Sequence, residues 1–255
     1  MQFRVVKKPE ISQKQYFLIM LAAITLALLT SGLFILLLGF NPLGVYASMI
    51  QGAFGSAYRI EQTIVAAVPL IIISLGVAIA FKMKFWNIGG EGQVIMGAFF
   101  ASFLALNYQH LSRPLLLLLM VVAGFIGGAL WGLIPAFLKA KWDTNETIVT
   151  LMLNYIALKW VTYLQYGPWK DPASLGFPKI ANFTENAILP KLFGVHIGWV
   201  IALILVVIMY IFMNYSKKGF EIAVLGESIN TARYAGINIF RTILFTMFLS
   251  GGLCG

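Results

Sequence analysis

Residues 16–38 run for 23 positions without a charged side chain. As a helix the run is about 34 Å long, enough to cross the hydrocarbon core of a bilayer. Inside lipid every backbone N–H and C=O must find a partner within the protein, which leaves helices and closed barrels as the only spanning forms. Further apolar runs occupy residues 63–81, 94–106, 115–138, 148–165 and 197–213, and another opens at Thr242. The expected fold is therefore an all-α, polytopic transmembrane helical bundle with about seven spans, organised as a single transmembrane domain over residues 1–255. The last run meets Gly255 after about 14 residues and has no polar tail, so the reading expects a longer parent protein with further spans.

The basic residues ahead of the first run, Arg4, Lys7, Lys8 and Lys14, look like the start of a signal peptide. The apolar run is too long for one, and no small-residue cleavage site follows it. A retained first span with a cytoplasmic N-terminus fits better. Alternating the sides from there assigns residues 1–15, 82–93, 139–147 and 214–241 to the cytoplasm. That set holds twelve Lys and Arg against five in the outer loops, as the positive-inside rule requires.

Only 11% of the residues are charged, far below the share in soluble domains. The net charge of +9 comes from basic residues scattered through short loops, which suits membrane orientation and not nucleic-acid binding. One cysteine, Cys254, excludes a disulfide framework. His110 and His196 stand far apart at span edges, so no metal site is expected. No phosphate-binding loop, nucleophile elbow or paired catalytic carboxylates occur, so the chain is not expected to be an enzyme.

Three polar clusters interrupt the apolar background. FWNIGGEGQ, residues 85–93, places Asn87, Glu91 and Gln93 beside three glycines at a membrane boundary. Such groups persist there only where protein or a water-filled cavity shelters them, which marks them as pathway candidates. The glycines serve equally as close helix contacts, and Glu91 has Lys82 and Lys84 as available ion-pair partners. The following apolar run, 94–106, is short for a span, so the helix either extends back through the motif or is a half-helix with a re-entrant start.

The second cluster is TNETIVTLMLNYIALK, residues 144–159. Thr144 or Asn145 can cap its helix, and Glu146 suits the positive end of the helix dipole. Asn154 lies deeper in the span and is a pathway candidate. Lys159 faces the bundle interior or snorkels toward the outer surface. The third is the inner loop 214–240, where residues 221–225 read as a helical turn. Ser228 or Asn230 can cap a short helix over 229–234 that ends at Gly236. This element suits either docking of a soluble partner or a position in the lipid headgroups. In the outer loop, 166–196, the prolines and aromatics of GPWKDP and FPK point to an ordered cap or receptor-facing surface.

Together these clusters resemble the permease subunits of bacterial ABC importers in the branched-chain amino acid and simple-sugar permease superfamily. FWNIGGEGQ is similar to that group's F-N-I-G-x-E-G-Q element, with Trp86 and Lys84 as departures. TNETIVTLMLNYIA resembles a segment of the nucleoside-type branch, and GPWKDP the element after it. GESINTARYAGIN, residues 226–238, resembles the stretch on which the ATPase docks, with Thr231 in place of Ala. The likeness runs from about residue 60 to 255.

The resemblance implies a permease domain of roughly ten spans at full length, working by alternating access in the bacterial inner membrane. It implies a second permease subunit, identical or homologous, two cytosolic ATPase subunits, and a substrate-binding lipoprotein, all amid membrane lipid. ATP and magnesium would bind the ATPases, with no cofactor in this chain. Gly226, Glu227, Ser228, Asn230, Ala232, Arg233 and Gly236 would form the docking site. Asn87, Glu91, Gln93 and Asn154 would line a path for a small polar solute, a nucleoside before a simple sugar. An ion-coupled secondary transporter using Glu91 is the main rival, and a membrane enzyme acting on a lipid-linked substrate a lesser one.

Overall fold

The computed structural model describes residues 12–255, and Arg4, Lys7 and Lys8 lie outside them. Ten α-helices account for most of these residues, with one two-stranded hairpin. Five helices are long and apolar enough to cross a membrane by length and composition: Gln13–Leu37, Ala57–Lys82, Arg113–Trp142, Glu146–Tyr166 and Gly198–Tyr215. The polytopic helical bundle expected from the hydropathy pattern is what the chain forms. Packing divides it into two compact units, residues 1–63 and 64–255.

In the first unit α1, Gln13–Leu37, is capped by Ser12 and turns at Gly39, whose φ of +85° suits a residue without a side chain. α2, Pro42–Phe54, follows, with Asn41 as N-cap and proline in its first turn. The Tyr46 hydroxyl of α2 donates to the Leu28 carbonyl at 2.7 Å and lies 2.8 Å from Ser31 Oγ, pinning the two helices together. α2 has no counterpart among the sequence-predicted spans. At 13 residues it is about 20 Å long, too short to cross, so a search for spans passes over it.

The second unit takes in most of α3, Ala57–Lys82, and is centred on α5, Arg113–Trp142, packed against α4, Gly90–Asn107, and α10, Ile239–Cys254. Small residues make the contact: Gly124, Gly128, Ala129, Gly132 and Ala136 of α5 are all buried. A Cβ on Gly132 would come within 2.8 Å of the Met247 carbonyl of α10, so the backbones touch. Close approach through small residues is how helices associate in lipid, where burial of apolar side chains gives no advantage. α6, Glu146–Tyr166, lies against α4 and α5, and α7, Gly198–Tyr215, leads into α8, Lys217–Glu227, and α9, Ile229–Tyr234.

The loops sort to two ends of this unit. At one end the Arg113 guanidinium donates to the Ile188 carbonyl at 2.7 Å, and Asn186 Nδ2 to the Leu111 carbonyl at 3.2 Å. There the Trp169 ring stacks on Phe99 with centroids 5.3 Å apart and planes at 17°. The outer loop is an ordered cap, with a hairpin at Lys191–Leu192 and Val195–His196. At the other end residues 83–85, Lys139, Glu146 and 225–230 surround one cavity. Parts of three of the segments assigned from sequence to one side of the membrane, 82–93, 139–147 and 214–241, are thus together in space.

Candidate functional site

After α3 the chain runs through residues 83–89 in an irregular path. Met83, Phe85, Asn87 and Gly89 are buried, while Lys84, Trp86 and Ile88 are exposed. α4 then begins at Gly90, inside the glycine-rich motif, so the short apolar run at 94–106 extends backward to give an 18-residue helix. Its N-terminus has no side-chain cap of its own. The first four amides of a helix need acceptors from elsewhere. Asn154 supplies one from the neighbouring helix: its Oδ1 accepts the Gly92 N–H at 2.8 Å. The same amide turns its Nδ2 onto the Ile88 carbonyl at 3.0 Å.

Asn87 and Gln93 form a reciprocal pair below this contact. Asn87 Nδ2 donates to Gln93 Oε1 at 3.1 Å, and Gln93 Nε2 donates back to Asn87 Oδ1 at 3.2 Å. Asn87 Nδ2 also donates to Ser250 Oγ of α10 at 3.2 Å, and Asn87 Oδ1 accepts the Gly89 N–H at 3.1 Å. Both protons and both lone-pair directions of the Asn87 amide are therefore used. Asn87 and Gln93 are each 1% exposed and Asn154 8%. The structure thus brings three of the four predicted pathway residues together where α4, α6 and α10 meet. Their hydrogen bonds go to each other, to the Ser250 hydroxyl and to backbone.

Glu91 stands apart. It is exposed, and no ion pair with Lys82 or Lys84 forms among the described residues. Lys159 is also exposed, one turn from exposed Tyr155 on one side and Tyr163 on the other. Ser250 escaped the sequence reading because nothing local marks a serine in SGGLCG as the partner of an asparagine 163 residues earlier.

At the cytoplasmically assigned end α8 and α9 meet at Ser228, which ends one helix and caps the next by accepting the Thr231 N–H at 3.3 Å. α8 is longer than the single turn expected over 221–225, because Ser216 caps it through the Gly219 N–H at 2.9 Å. α9 covers the residues expected. Asn145 caps α6 in the same way, accepting the Ile148 N–H at 3.2 Å.

Ile222, Leu225 and Ala232 are buried in one apolar cluster with Ile79 and Ala80 of α3, Ala136 of α5 and Met247 of α10. Gly226 lies directly on the Lys82 carbonyl, leaving no room for a side chain. Of the predicted docking residues, Gly226 and Ala232 thus face the spans. Glu227, Asn230, Arg233 and Gly236 face outward with Tyr234, which is 95% exposed, and Ser228 is intermediate.

Beside this element lies a cavity of about 590 Å³, floored by Phe85, Leu225 and Ile243 and rimmed by Lys84, Lys139, Glu146 and Glu227. Lys139 bridges Asp143 at 2.8 Å and Glu146 at 3.2 Å, tying the end of α5 to the start of α6. The Lys139 ammonium holds the Asp143 carboxyl below its ordinary range, first through the hydrogen bond and then through charge.

Apolar spans, a polar network sealed between them and a helix pair keyed into their core define an integral membrane protein of the transport class. The chain belongs to the family of branched-chain amino acid transport system permease components, whose model matches residues 59–255. It is 35% identical over 238 residues to the glucose ABC transporter permease protein TsgB13 of Haloferax volcanii, covering 88% of this chain and 62% of that protein. It is 33% identical over 255 residues to the guanosine ABC transporter permease protein NupP of Bacillus subtilis, covering 96% and 71%. The nucleoside ABC transporter permease protein NupB of Lactococcus lactis subsp. cremoris is 33% identical over 254 residues, covering 93% and 68%. The chain spans about two-thirds of the length of these relatives. They are permease components and not ATPases, which is the class the motifs indicate. No solved structure matches the chain.

Proposed function

We propose that this chain is the permease subunit of an ATP-driven ABC importer that carries a nucleoside across the bacterial inner membrane, with its N-terminus in the cytoplasm. The observation that carries the reading is the α8–α9 pair. One face is buried in the same core as α3, α5 and α10, and the other offers Glu227, Asn230, Arg233 and Tyr234 outward. A soluble ATPase gripping that face would move the spans with it. ATP and magnesium belong to the ATPase, a second permease subunit completes the path, and a lipoprotein delivers solute at the outer cap. Residues 1–255 act as one permease domain, with 214–240 as its docking loop. Asn87, Gln93 and Asn154 hold the start of α4 in place, and Glu91 beside them presents its carboxylate to the path.

Two of the three relatives carry a nucleoside in their names, and two of the elements that mark the nucleoside-type branch stand at residues 144–157 and 167–172. A simple sugar is the second reading, favoured by the named substrate of the Haloferax relative. The deciding experiment reconstitutes the full-length permease with its ATPase and receptor in proteoliposomes and follows labelled guanosine. Uptake that needs ATP and ignores an uncoupler is expected. Uptake that collapses with the uncoupler while ATP is held constant overturns the reading in favour of ion coupling through Glu91. ATP-driven uptake of glucose in preference to guanosine moves the substrate to sugars.

A further inference from the structure

The five long apolar helices differ in how their composition matches their surroundings. α3 and α6 are each 22% buried within the protein, yet α3 has a mean hydropathy of 2.8 and α6 only 1.3, while the other three lie at 2.2 to 2.4. A helix face turned to lipid has to be apolar. α6 is the least apolar of these five as a whole, and its uncovered face carries Tyr155, Lys159 and Tyr163 at one-turn intervals, all exposed. Lys159 makes no ion pair and Tyr155 no side-chain hydrogen bond among the described residues. Lys159 stands seven residues before the end of α6, about 10 Å inward, and snorkelling through its stem can account for that one charge. It does not account for Tyr155. Eleven residues before Tyr166, its Cα sits about 16 Å inward, near the middle of the helix. Interfacial aromatic belts lie at the membrane surface and do not reach this depth.

We propose that this face of α6 lines the solute path, that Lys159 is a binding residue, and that its solute is a nucleoside whose base carries a ring carbonyl. The proposal rests on the nucleoside-import reading. An ammonium has three donors and no acceptor, so it recognises a carbonyl and rejects an exocyclic amine. Tyr155 and Tyr163 on either side offer ring faces against which a planar base can stack. Trp160, 42% exposed and packed edge-on to Phe99 at 5.8 Å, flanks the stripe beside Lys159, with its ring 5.9 Å from that of Tyr163. The α6 face opposite to Asn154 is thus the one that meets solute, while Asn154 braces α4 from behind.

The test uses the full-length permease assembled with its ATPase and receptor, in a Cys254→Ala background. Lys159→Cys is treated with a membrane-impermeant, positively charged thiosulfonate, with and without guanosine. Fast labelling that guanosine slows is expected. No labelling means a lipid-facing or subunit-covered position, and labelling that guanosine does not slow means water without solute; either overturns the proposal. Tyr163→Cys gives the same reading should the Lys159 variant not assemble.

In parallel, Lys159→Met is expected to raise the half-saturating guanosine concentration roughly tenfold or more, with a smaller effect for adenosine. Equal kinetics for wild type and Lys159→Met also overturns the binding role. Failure of the wild type to carry any nucleoside under ATP would instead count against the function proposed above. Labelling of Lys159→Cys slowed by glucose and not by guanosine keeps the path and overturns the base.

Discussion

Asn154 caps a helix that is not its own: its Oδ1 accepts the amide of Gly92 at 2.8 Å, in the first turn of α4. The contact leaves no room for a side chain on Gly92. A Cβ there would come within 2.8 Å of that oxygen and 3.1 Å of Trp131 Nε1. Gly92→Ala is therefore expected to break the cap and force α4 and α6 apart, lowering stability by about 1–3 kcal/mol. A thermal-shift measurement in detergent on the full-length protein checks this. An unchanged midpoint would mean that the cap contributes nothing.

The Asn87–Gln93 pair makes a sharper prediction. Removing one amide leaves the other buried with unmet donors and acceptors, which costs about 1–3 kcal/mol, whereas removing both leaves an apolar contact. Asn87→Leu and Gln93→Leu should each destabilise strongly, and the double variant by clearly less than their sum. Equilibrium unfolding of the four proteins gives the coupling. Simple additivity would deny that the two side chains act as a unit. Ser250 and the Gly89 amide, which also bond Asn87, set a floor below which the double variant cannot recover.

Glu91 behaves oppositely. It is exposed and outside the network, so Glu91→Gln should change stability by no more than about 0.5 kcal/mol. If transport is driven by ATP, uptake should survive the substitution. Loss of ion dependence together with loss of accumulation would point to a coupling carboxylate instead.

The helical spans were legible because hydropathy over twenty residues is a local sum that needs no knowledge of packing. The α9 boundaries were legible too, since Ser228 and Gly236 are chemical stop signs. What each polar residue touches was not. Asn154 and Lys159 are five residues apart on one helix and land on different faces, one sealed and one open. α6 is apolar enough on both faces to blur any periodic signal. The spacing of Tyr155, Lys159 and Tyr163 was the clue available, and it gains meaning only once the covered face is known. Asn41 and Pro42 mark the start of α2, but at 13 residues that helix is too short to enter a search for spans.

Two glycines of the proposed docking loop should fail for different reasons. At Gly226 any Cβ strikes the Lys82 carbonyl, so Gly226→Val should lift α8 from the core and separate ATP hydrolysis from uptake. At Gly236 the space is open but φ is +72°, so Gly236→Trp strains the backbone after α9 and presents a bulky ring to the partner. Glu227→Pro attacks the same joint by removing an amide from the last turn of α8. In all three the ATPase rate should persist while uptake falls at least tenfold. Normal ATP-driven uptake in the three together would sink the docking assignment.

The outer cap gives a prediction that does not depend on substrate. Trp169 reaches back from the loop to stack on Phe99 of α4, and Gln165 Nε2 holds the Pro178 carbonyl at 2.7 Å. A stacked aromatic pair contributes about 0.5–1.5 kcal/mol beyond its burial. Trp169→Ala should therefore loosen residues 167–180 while leaving the spans intact, because Arg113 and Asn186 anchor only the later part of the loop. Limited proteolysis from the outer face, at Lys170 and Lys179, is the readout. Faster cleavage at both sites with an unchanged melting midpoint is expected. Equal cleavage rates would show that the loop is held by its backbone contacts, Asp171 N–H to the Lys179 carbonyl at 2.8 Å foremost among them, and that the ring stack is incidental.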